Sequence, residues 1–383
     1  GRLWTGHMPV TGTLVEQGAE FIHGKKATTS FRLLKEAGIR YTPVSGEMYR
    51  NENGKLLPVI DPIAGWDKLL EKMGALETDM TLDNFLQEHF EGAQHHKLRR
   101  HARNYAGGFD LADPKDASVK ALYREWSADE ELNFRIDGGY RSIINHLEKS
   151  CVEKGCRILK ETPVRQVDWL EGDVTVYSLA GEKFFAGKLI VTVPAAILAR
   201  ADDALSINFT PPLREQVEAA GQIGSGKVVK ALLEFKKPCW PADAGFLFSN
   251  EIFATWWTQS PGTSALLTGW AGGPRALQLK DLDKGQLLEA ALLSLSQILM
   301  LPLQQLKDNL KDAVIVDWQA AYPGLYGYSY STLESKAARC LLNSPVKDSV
   351  YFCGEALYDG KAPGTVEAAL VTATRLATIL KES

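Results

Sequence analysis

The stretch near the C-terminus constrains the fold of this chain most strongly. The apolar run VYFC at 350–353 predicts a short buried strand, and a glycine-containing loop follows it. A helix is then predicted to open at Gly364 and to run towards Leu380, with Thr365 placed to cap it. The backbone N–H groups at such a helix start face whatever the loop surrounds, which suits an anion or a ring carbonyl. An ordinary strand–loop–helix connection has the same spacing and stays open as an alternative.

Length and composition indicate a two-domain globular chain. The 383 residues exceed one typical core, and 45% of them are hydrophobic. A formal net charge of −4 gives little attraction for nucleic acid or an anionic membrane, and the basic run at 95–101 is predicted to be a solvated helix face. The longest apolar run, 287–303, is interrupted by polar residues and by a proline, so it predicts a buried or amphipathic helix and not a membrane span.

The cysteines indicate thiols and not cross-links. The chain has five, with no CxxC pair and no spacing typical of metal ligands. An odd number of unpaired thiols fits a reducing compartment, and we therefore expect a cytoplasmic protein without a metal site.

Two further segments carry chemistry-bearing residues. The segment VEQGAEFIHG at 15–24 predicts a strand whose small residues Gly18 and Ala19 let the chain pass close to a flat ring, with Glu20 and His23 projecting at its exit. Lys230 lies in an alternating apolar strand, and a lysine turned towards a domain interior requires a specific partner. The plainer alternatives are a hydrogen-bonded structural histidine and a surface lysine on an edge strand.

Together these motifs resemble the flavin-containing amine oxidases, the family of polyamine oxidases, monoamine oxidases and histone lysine demethylases. The resemblance rests on four stretches in the family's order: VEQGAEFIHG (15–24), KLIVTVP (188–194), a lysine ten residues before Trp240, and FCGEALYDG with GTVEAALVTATRLA (352–377). It implies an α/β fold with a Rossmann-like FAD-binding domain and an interleaved α+β substrate domain containing a mixed sheet. The GxGxxG unit with which the family's domain begins does not occur in these 383 residues, so we expect that domain to be truncated at its N-terminus.

The resemblance also divides the chain into two discontinuous domains. The FAD-binding domain would comprise 1–30, 135–200 and 346–383, and the substrate domain 31–134 and 201–345. By resemblance, Arg2 would reach the pyrophosphate of FAD and Val164 would lie by the adenine through its backbone. The implied cofactor-binding set is Arg2, Gly18, Ala19, Val164, Gly354, Glu355, Gly364, Thr365 and Val366. Gly327 stands where monoamine oxidases carry the cysteine bonded to the flavin, so FAD is expected to be held non-covalently.

Three residues are implied to be catalytic. Lys230 meets the family's spacing where Lys227 does not, and it would hold a water against flavin N5. His23 would lie near the amine end of the substrate. Tyr328, ten residues after Trp318, resembles a wall of the family's aromatic cage; Thr365 aligns with the opposite wall, so a cage of two tyrosines is not expected.

The chemistry implied by the resemblance is amine oxidation. Hydride would pass from the carbon beside a neutral amine to FAD, water would hydrolyse the imine, and O₂ would be reduced to H₂O₂. The motif around His23 favours a polyamine-like substrate, and neither nucleic acid nor a membrane is an expected partner. Two alternatives stay open: a non-catalytic relative that serves as a binding or scaffold module, and an L-amino-acid oxidase or desaturase on the same fold. An amino-acid oxidase would need an arginine for the substrate carboxylate, and the sequence alone does not identify one.

Overall fold

The computed structural model describes residues 1–52, 54–59, 63–128, 132–200, 206–321 and 326–382. The strands are β1 (Thr5–His7), β2 (Leu14–Glu16), β3 (Ile22–His23), β4 (Tyr41–Pro43), β5 (Glu47–Glu52), β6 (Lys55–Pro58), β7 (Asn133–Ile136), β8 (Val164–Leu170), β9 (Asp173–Ser178), β10 (Lys183–Ala186), β11 (Leu189–Val191), β12 (Asn208–Thr210), β13 (Gly224–Ser225), β14 (Val228–Phe235), β15 (Ala244–Phe248), β16 (Thr255–Trp257), β17 (Leu266–Gly272), β18 (Leu310–Asp317), β19 (Ser329–Tyr330) and β20 (Val350–Phe352). The α-helices are α1 (Thr28–Ala37), α2 (Trp66–Gly74), α3 (Leu82–His89), α4 (His96–Gly108), α5 (Val119–Trp126), α6 (Arg141–Glu153), α7 (Ala195–Leu198), α8 (Arg214–Gly221), α9 (Pro274–Gln278), α10 (Lys284–Leu299), α11 (Leu303–Asn309), α12 (Trp318–Ala321), α13 (Ser335–Leu342) and α14 (Val366–Glu382).

A seven-stranded mixed sheet forms the larger layer. Its order is β18-β14-β17-β16-β15-β5-β6, and its neighbours are antiparallel except for the parallel pair β15–β5. Strand β14 is buried at every position because both faces of the sheet are covered. Its odd-numbered residues, such as Ala231 and Leu233, pack in the core that includes α10, whereas Val228 and Leu232 pack with residues of the β1–β2 hairpin. Lys230 has the parity of this second set, so the pleat turns it towards the hairpin.

Smaller sheets complete the architecture. Strands β11 and β20 pair in parallel, and β8, β9 and β10 form an antiparallel meander to which β12 adds in parallel. Strands β3, β7 and β4 form a third sheet, and α1 packs against both α6 and α14. Strand β12 (Asn208–Thr210) thus joins the sheet of 164–186, although the division into two domains at the expected boundaries stays a prediction.

Local patterns predicted most elements correctly. The helical pattern of 30–38 predicts a helix that ends at Gly38, and this glycine caps α1 in the left-handed conformation with φ 66°. The sequence also predicts a hairpin over 48–57, helices within 61–131 and a helix over 142–154, and the structure has them as β5–β6, α2 to α5 and α6. Asn53, assigned to the hairpin turn, lies outside the described residues.

One strand prediction was wrong and a second was right in part. The apolar residues of 157–159 predict a strand, but these residues form none, and Ile158 and Leu159 are about half exposed. The apolar run 188–194 predicts a strand buried in a parallel sheet; β11 is present and pairs in parallel with β20, but it spans only 189–191, and Ile190 is 44% exposed. Apolar composition predicts a strand only where a neighbour satisfies its backbone N–H and C=O groups, and within the described chain β11 pairs with β20 alone.

No single helix in the described ranges is long and apolar enough to cross a membrane. Only α10 and α11 taken together reach that length and composition, and the chain bends by 114° between them.

Candidate functional site

Lys230 is the buried cation of the site. Its Nζ donates to the carbonyl oxygens of Glu16 at 2.5 Å and Gly18 at 3.4 Å, and to Glu20 Oε2 at 2.9 Å. Only 3% of the side chain is exposed. The sequence required a partner for an inward lysine, and the structure identifies it as the segment 15–24. The strand predicted over this segment is present only at its ends, as β2 and β3, and the residues between them that contact Lys230 are not in a strand.

Glu20 receives hydrogen bonds from three directions. Besides Lys230, Arg135 Nε donates to Oε1 at 3.1 Å and Trp257 Nε1 donates to the same oxygen at 2.9 Å. Burial alone would raise the pKa of Glu20, but Lys230 and Arg135 together hold that pKa below its usual value. Glu20 is therefore an ionised carboxylate. Sequence analysis gave no role to Glu20 or Arg135; the available signal was an acid within an otherwise apolar motif, which needs a cation once it is buried.

Six rings surround the next part of the site in a closed series that we call the aromatic circuit. Its members are Trp257, Phe21, His23, Phe109, Tyr328 and Trp270. Successive centroids lie 5.5 Å apart for Trp257–Phe21, 6.2 Å for Phe21–His23, 5.9 Å for His23–Phe109, 6.5 Å for Tyr328–Trp270 and 6.0 Å for Trp270–Trp257. The Tyr328 hydroxyl closes the circuit by donating to the carbonyl of Phe109. Lys230 Nζ lies 5.4 Å from the Trp257 ring, so the cation adjoins the circuit.

Tyr328 remains a neutral phenol in this environment. Burial raises the pKa of Tyr328 well above its usual value, and the carboxyl groups of Asp110 and Glu125 add to that effect. Trp270 donates from Nε1 to the carbonyl of Gly108 at 2.8 Å, so the polar atoms of both rings are satisfied by backbone. The polar atoms of Trp270 and Tyr328 are therefore bonded to backbone and that of Trp257 to Glu20, which leaves the faces of these three rings as apolar surface.

The start of α14 abuts the circuit at Gly364. This glycine has φ 68°, and a Cβ there would lie 2.6 Å from Cδ2 of Tyr328, so the turn and the ring together require glycine. Thr365 caps the helix as predicted, since its Oγ1 accepts from the N–H of Ala368 at 3.1 Å. The first N–H groups of a helix have no acceptor within the helix, and those of α14 begin at Val366.

Segments from both ends of the chain meet at a second point. Arg2 Nη1 donates to Glu355 Oε1 at 2.7 Å and to the carbonyl of Gly327 at 2.9 Å, while Ser329 Oγ donates to Glu355 Oε2 at 2.7 Å. A Cβ at Gly18 would lie 2.1 Å from the carbonyl oxygen of Arg2, so the segment 15–24 passes directly against the N-terminal residues of the chain.

The other predicted cofactor residues occupy three places. Ala19 and Val366 pack against the same core, which contains Leu34 and Phe134. Gly354 follows β20, and its carbonyl accepts from the Thr372 hydroxyl at 3.1 Å. Val164 lies apart from these, exposed at the start of β8.

These residues fit the ring end of a flavin. Gly18 and Gly364 are positions that a side chain would obstruct, and the α14 N-terminus presents N–H groups of the kind that bind ring carbonyls or anions. Arg2 is partly exposed beside them and can contribute positive charge. Among the residues described, no group of three or more His, Cys, Asp or Glu side chains could hold a metal ion, and all five cysteines are free thiols.

An open groove of about 440 Å³ lies elsewhere on the molecule. Its walls include Leu111, Asp116, Lys227 and Tyr330, and none of the predicted site residues lines it. Asp116 there accepts from the Tyr330 hydroxyl at 3.0 Å. Sequence analysis did not predict this groove, because its walls come from separate elements, among them α7, α8, α9, β13 and β19, whose meeting no local pattern shows.

Comparison with known proteins places this arrangement in a family. The sequence model of the family described as flavin containing amine oxidoreductase matches residues 1–380. The human lysine-specific histone demethylase 2 is 26% identical over 295 residues, which are 73% of this chain and 34% of that protein. Probable polyamine oxidase 5 of Arabidopsis thaliana is 26% identical over 210 residues, 51% of this chain and 38% of that protein. The chain thus spans about a third of the length of these curated relatives.

A solved structure agrees with the fold. Wild-type putrescine oxidase bound to putrescine superposes with a TM-score of 0.83 at 19% identity, covering 100% of this chain and 91% of that one. The predicted α/β fold and the predicted family are both confirmed, because the family match extends over nearly the whole sequence. The chain belongs to the family of flavin-containing amine oxidoreductases.

Proposed function

We propose that this chain oxidises a di- or polyamine-like amine with non-covalently bound FAD, and that O₂ reoxidises the flavin. The observation that carries the proposal is the convergence of distant segments on the aromatic circuit. Lys230 adjoins it at Trp257, His23 is a member, and Gly364 adjoins it at Tyr328. A shared apolar enclosure with one buried cation and one helix N-terminus is the environment that amine oxidation by a flavin needs.

The apolar faces of the circuit would select the protonation state of the substrate. An amine that is protonated in water loses hydration when aromatic rings surround it, which disfavours its charged form. The neutral amine has the lone pair that assists hydride departure from the adjacent carbon. The circuit would therefore bind the free base and exclude water from the reacting carbon.

The chain's own residues would hold and orient the cofactor. Gly18, Ala19 and the start of α14 would receive the ring end, and Arg2 would contribute positive charge near the phosphates. Bound FAD would supply the acceptor for the hydride, and water would then hydrolyse the product imine. Non-covalent attachment is supported by Gly327, which stands where monoamine oxidases carry the cysteine bonded to the flavin.

The substrate class rests on the relatives and on the motif around His23. One matched structure contains putrescine, and one matched sequence is named a probable polyamine oxidase. These names support an aliphatic di- or polyamine ahead of an aryl amine or an α-amino acid.

Purified full-length protein tests the proposal directly. We expect a yellow protein that releases its flavin on denaturation and produces peroxide with a linear diamine, but not with an aryl amine or an α-amino acid. Turnover should rise with pH as the bound amine loses its proton. Colourless protein that takes up no added FAD would support a binding module instead, and turnover independent of pH would contradict selection of the free base.

Replacement of Lys230 by Met tests its assignment as a catalytic residue. The side chain keeps a similar length but loses its charge and donors. We expect flavin to stay bound while flavin reduction or reoxidation slows at least about tenfold, the scale of a lost proton-transfer or charge contribution. Unchanged rates would show that another residue has this role.

A further inference from the structure

The carboxylate of Glu20, in the segment 15–24, lies between two cations beside the aromatic circuit. We propose that Glu20 is the positioning residue for Lys230 and that Arg135 secures Glu20 in turn. The catalytic consequence rests on the proposed amine oxidation, whereas the electrostatic coupling can be measured without it.

The hydrogen bonds of Lys230 define its direction. An ammonium group has three N–H donors, and Nζ here has three acceptors: the carbonyls of Glu16 and Gly18 and the carboxylate of Glu20. The two carbonyls are neutral and belong to the backbone of the segment 15–24. Glu20 is the one acceptor with a full charge, so it supplies the compensation that a buried ammonium requires.

Arg135 leaves Glu20 little freedom to move. Its Nε bonds Glu20 Oε1, while Nη1 and Nη2 donate to the carbonyls of Ser260 at 3.0 Å and Thr258 at 2.7 Å. The guanidinium also lies 4.9 Å from the ring centroid of Phe21. Arg135 thereby connects β7 to the chain that follows β16 and holds one carboxylate oxygen while Lys230 takes the other.

The ion pairs around this point place one carboxylate between two cations. Lys230 and Arg135 are both positive, and Glu20 is negative. Glu16 is the other carboxyl group that interacts with this cluster; burial raises the pKa of Glu16, and it accepts from the Thr5 hydroxyl and the Tyr140 N–H. Removing the charge of Glu20 would leave the two cations without the carboxylate that both of them contact. Removing that of Arg135 would leave a balanced Glu20–Lys230 pair.

These two changes have opposite electrostatic signs, and this permits a decisive test. The full-length protein, Glu20→Gln and Arg135→Gln are each labelled with acetic anhydride across a pH series, and acetylation of Lys230 is followed by mass spectrometry. Lys227 serves as an internal reference. The control variant is Glu289→Gln on α10, which removes an exposed ion-pair partner of Lys307 on α11.

The half-maximal pH of Lys230 labelling should fall by about one unit or more in Glu20→Gln, because loss of a close opposite charge disfavours the charged amine. It should rise in Arg135→Gln and stay unchanged in Glu289→Gln. General loosening of the fold would instead increase labelling in both site variants at every pH. Equal shifts of the same sign, or none, would overturn the proposal. If Glu20→Gln fails to fold, an upward shift in Arg135→Gln supports it and no shift overturns it.

Kinetics then separate positioning from substrate binding. We expect Glu20→Gln to lower kcat for the amine about tenfold or more with KM within about twofold, since Lys230 would be misdirected while the aromatic walls stay in place. Glu20→Asp, which keeps the charge, should recover part of kcat. If the wild-type protein oxidises no amine, the proposed function fails, yet the labelling shifts still decide the role of Glu20.

Discussion

Helix α1, which follows the segment 15–24, depends on a cap from the far end of the chain. Its own N-cap residue, Ala27, has no side-chain oxygen to offer. The carboxylate of Glu367, in the first turn of α14, accepts instead from the N–H of Thr29 at 2.9 Å, the N–H of Ser30 at 2.7 Å and the Ser30 hydroxyl at 2.7 Å. Replacement of Glu367 by Ala should therefore destabilise α1 specifically, because no neighbouring residue of the helix can substitute.

The expected cost follows from three losses. An N-cap is worth about 0.5–2 kcal/mol. The interaction of a carboxylate with a helix N-terminus adds about 0.3–1 kcal/mol. Ser30 is almost fully buried, so its hydroxyl would lose its partner away from water at about 1–3 kcal/mol. Since these contributions overlap, we expect Glu367→Ala to lower the free energy of unfolding by roughly 2–4 kcal/mol, and Glu367→Gln, which keeps one acceptor oxygen, by about half as much.

Hydrogen exchange measures this loss at the helix itself. The free energy of amide protection over α1 should fall in Glu367→Ala by the whole of this estimated loss, with little change in α10. The matched control is Glu36→Gln on the same helix, which removes an exposed ion pair with Arg32 worth at most about 0.5 kcal/mol. Equal loss of protection in the two variants, or none in either, would refute the assignment of Glu367 as the cap.

Two further predictions concern a close backbone approach and a buried acid. Gly18→Ala should destabilise the protein by about 1–3 kcal/mol, because its Cβ would overlap the Arg2 backbone; Gly108→Ala, where the added Cβ meets nothing within 4 Å, should leave stability equal or higher in urea titrations, and similar losses would contradict the steric argument. Burial raises the pKa of Glu125 from 4.5 to about 7, against the lowering effect of Arg339. The folded state therefore binds this proton more tightly, so the stability that protonated Glu125 contributes is complete below pH 4.5 and is lost as pH rises towards 7. Relative to Glu125→Gln, the wild-type protein should lose stability across that interval, and a flat difference would contradict the raised pKa.

The elements that sequence analysis predicted correctly are those determined by nearest neighbours. The glycine at 38 ends α1, and Thr365 caps α14, because each acts within four residues of its own position. The side of β14 on which Lys230 lies was likewise readable from strand alternation. The failures at 157–159 and at Ile190 have the opposite cause, since a strand and its burial depend on neighbours that lie far away in the sequence.

The two buried acids that organise this site show where sequence reasoning ends. Glu20 meets its partners Lys230 and Arg135 across separations of 210 and 115 residues, and Glu367 caps a helix about 337 residues earlier. A pattern can show that an acid lies in an apolar segment and must be neutralised, because an unpaired buried charge is too costly. It cannot choose among the 43 lysines and arginines of the chain. That choice is made by the meeting of the segment 15–24 with β7 and β14, so the inward direction of Lys230 could be predicted from its own strand, whereas the residues that it contacts could be identified only from the fold.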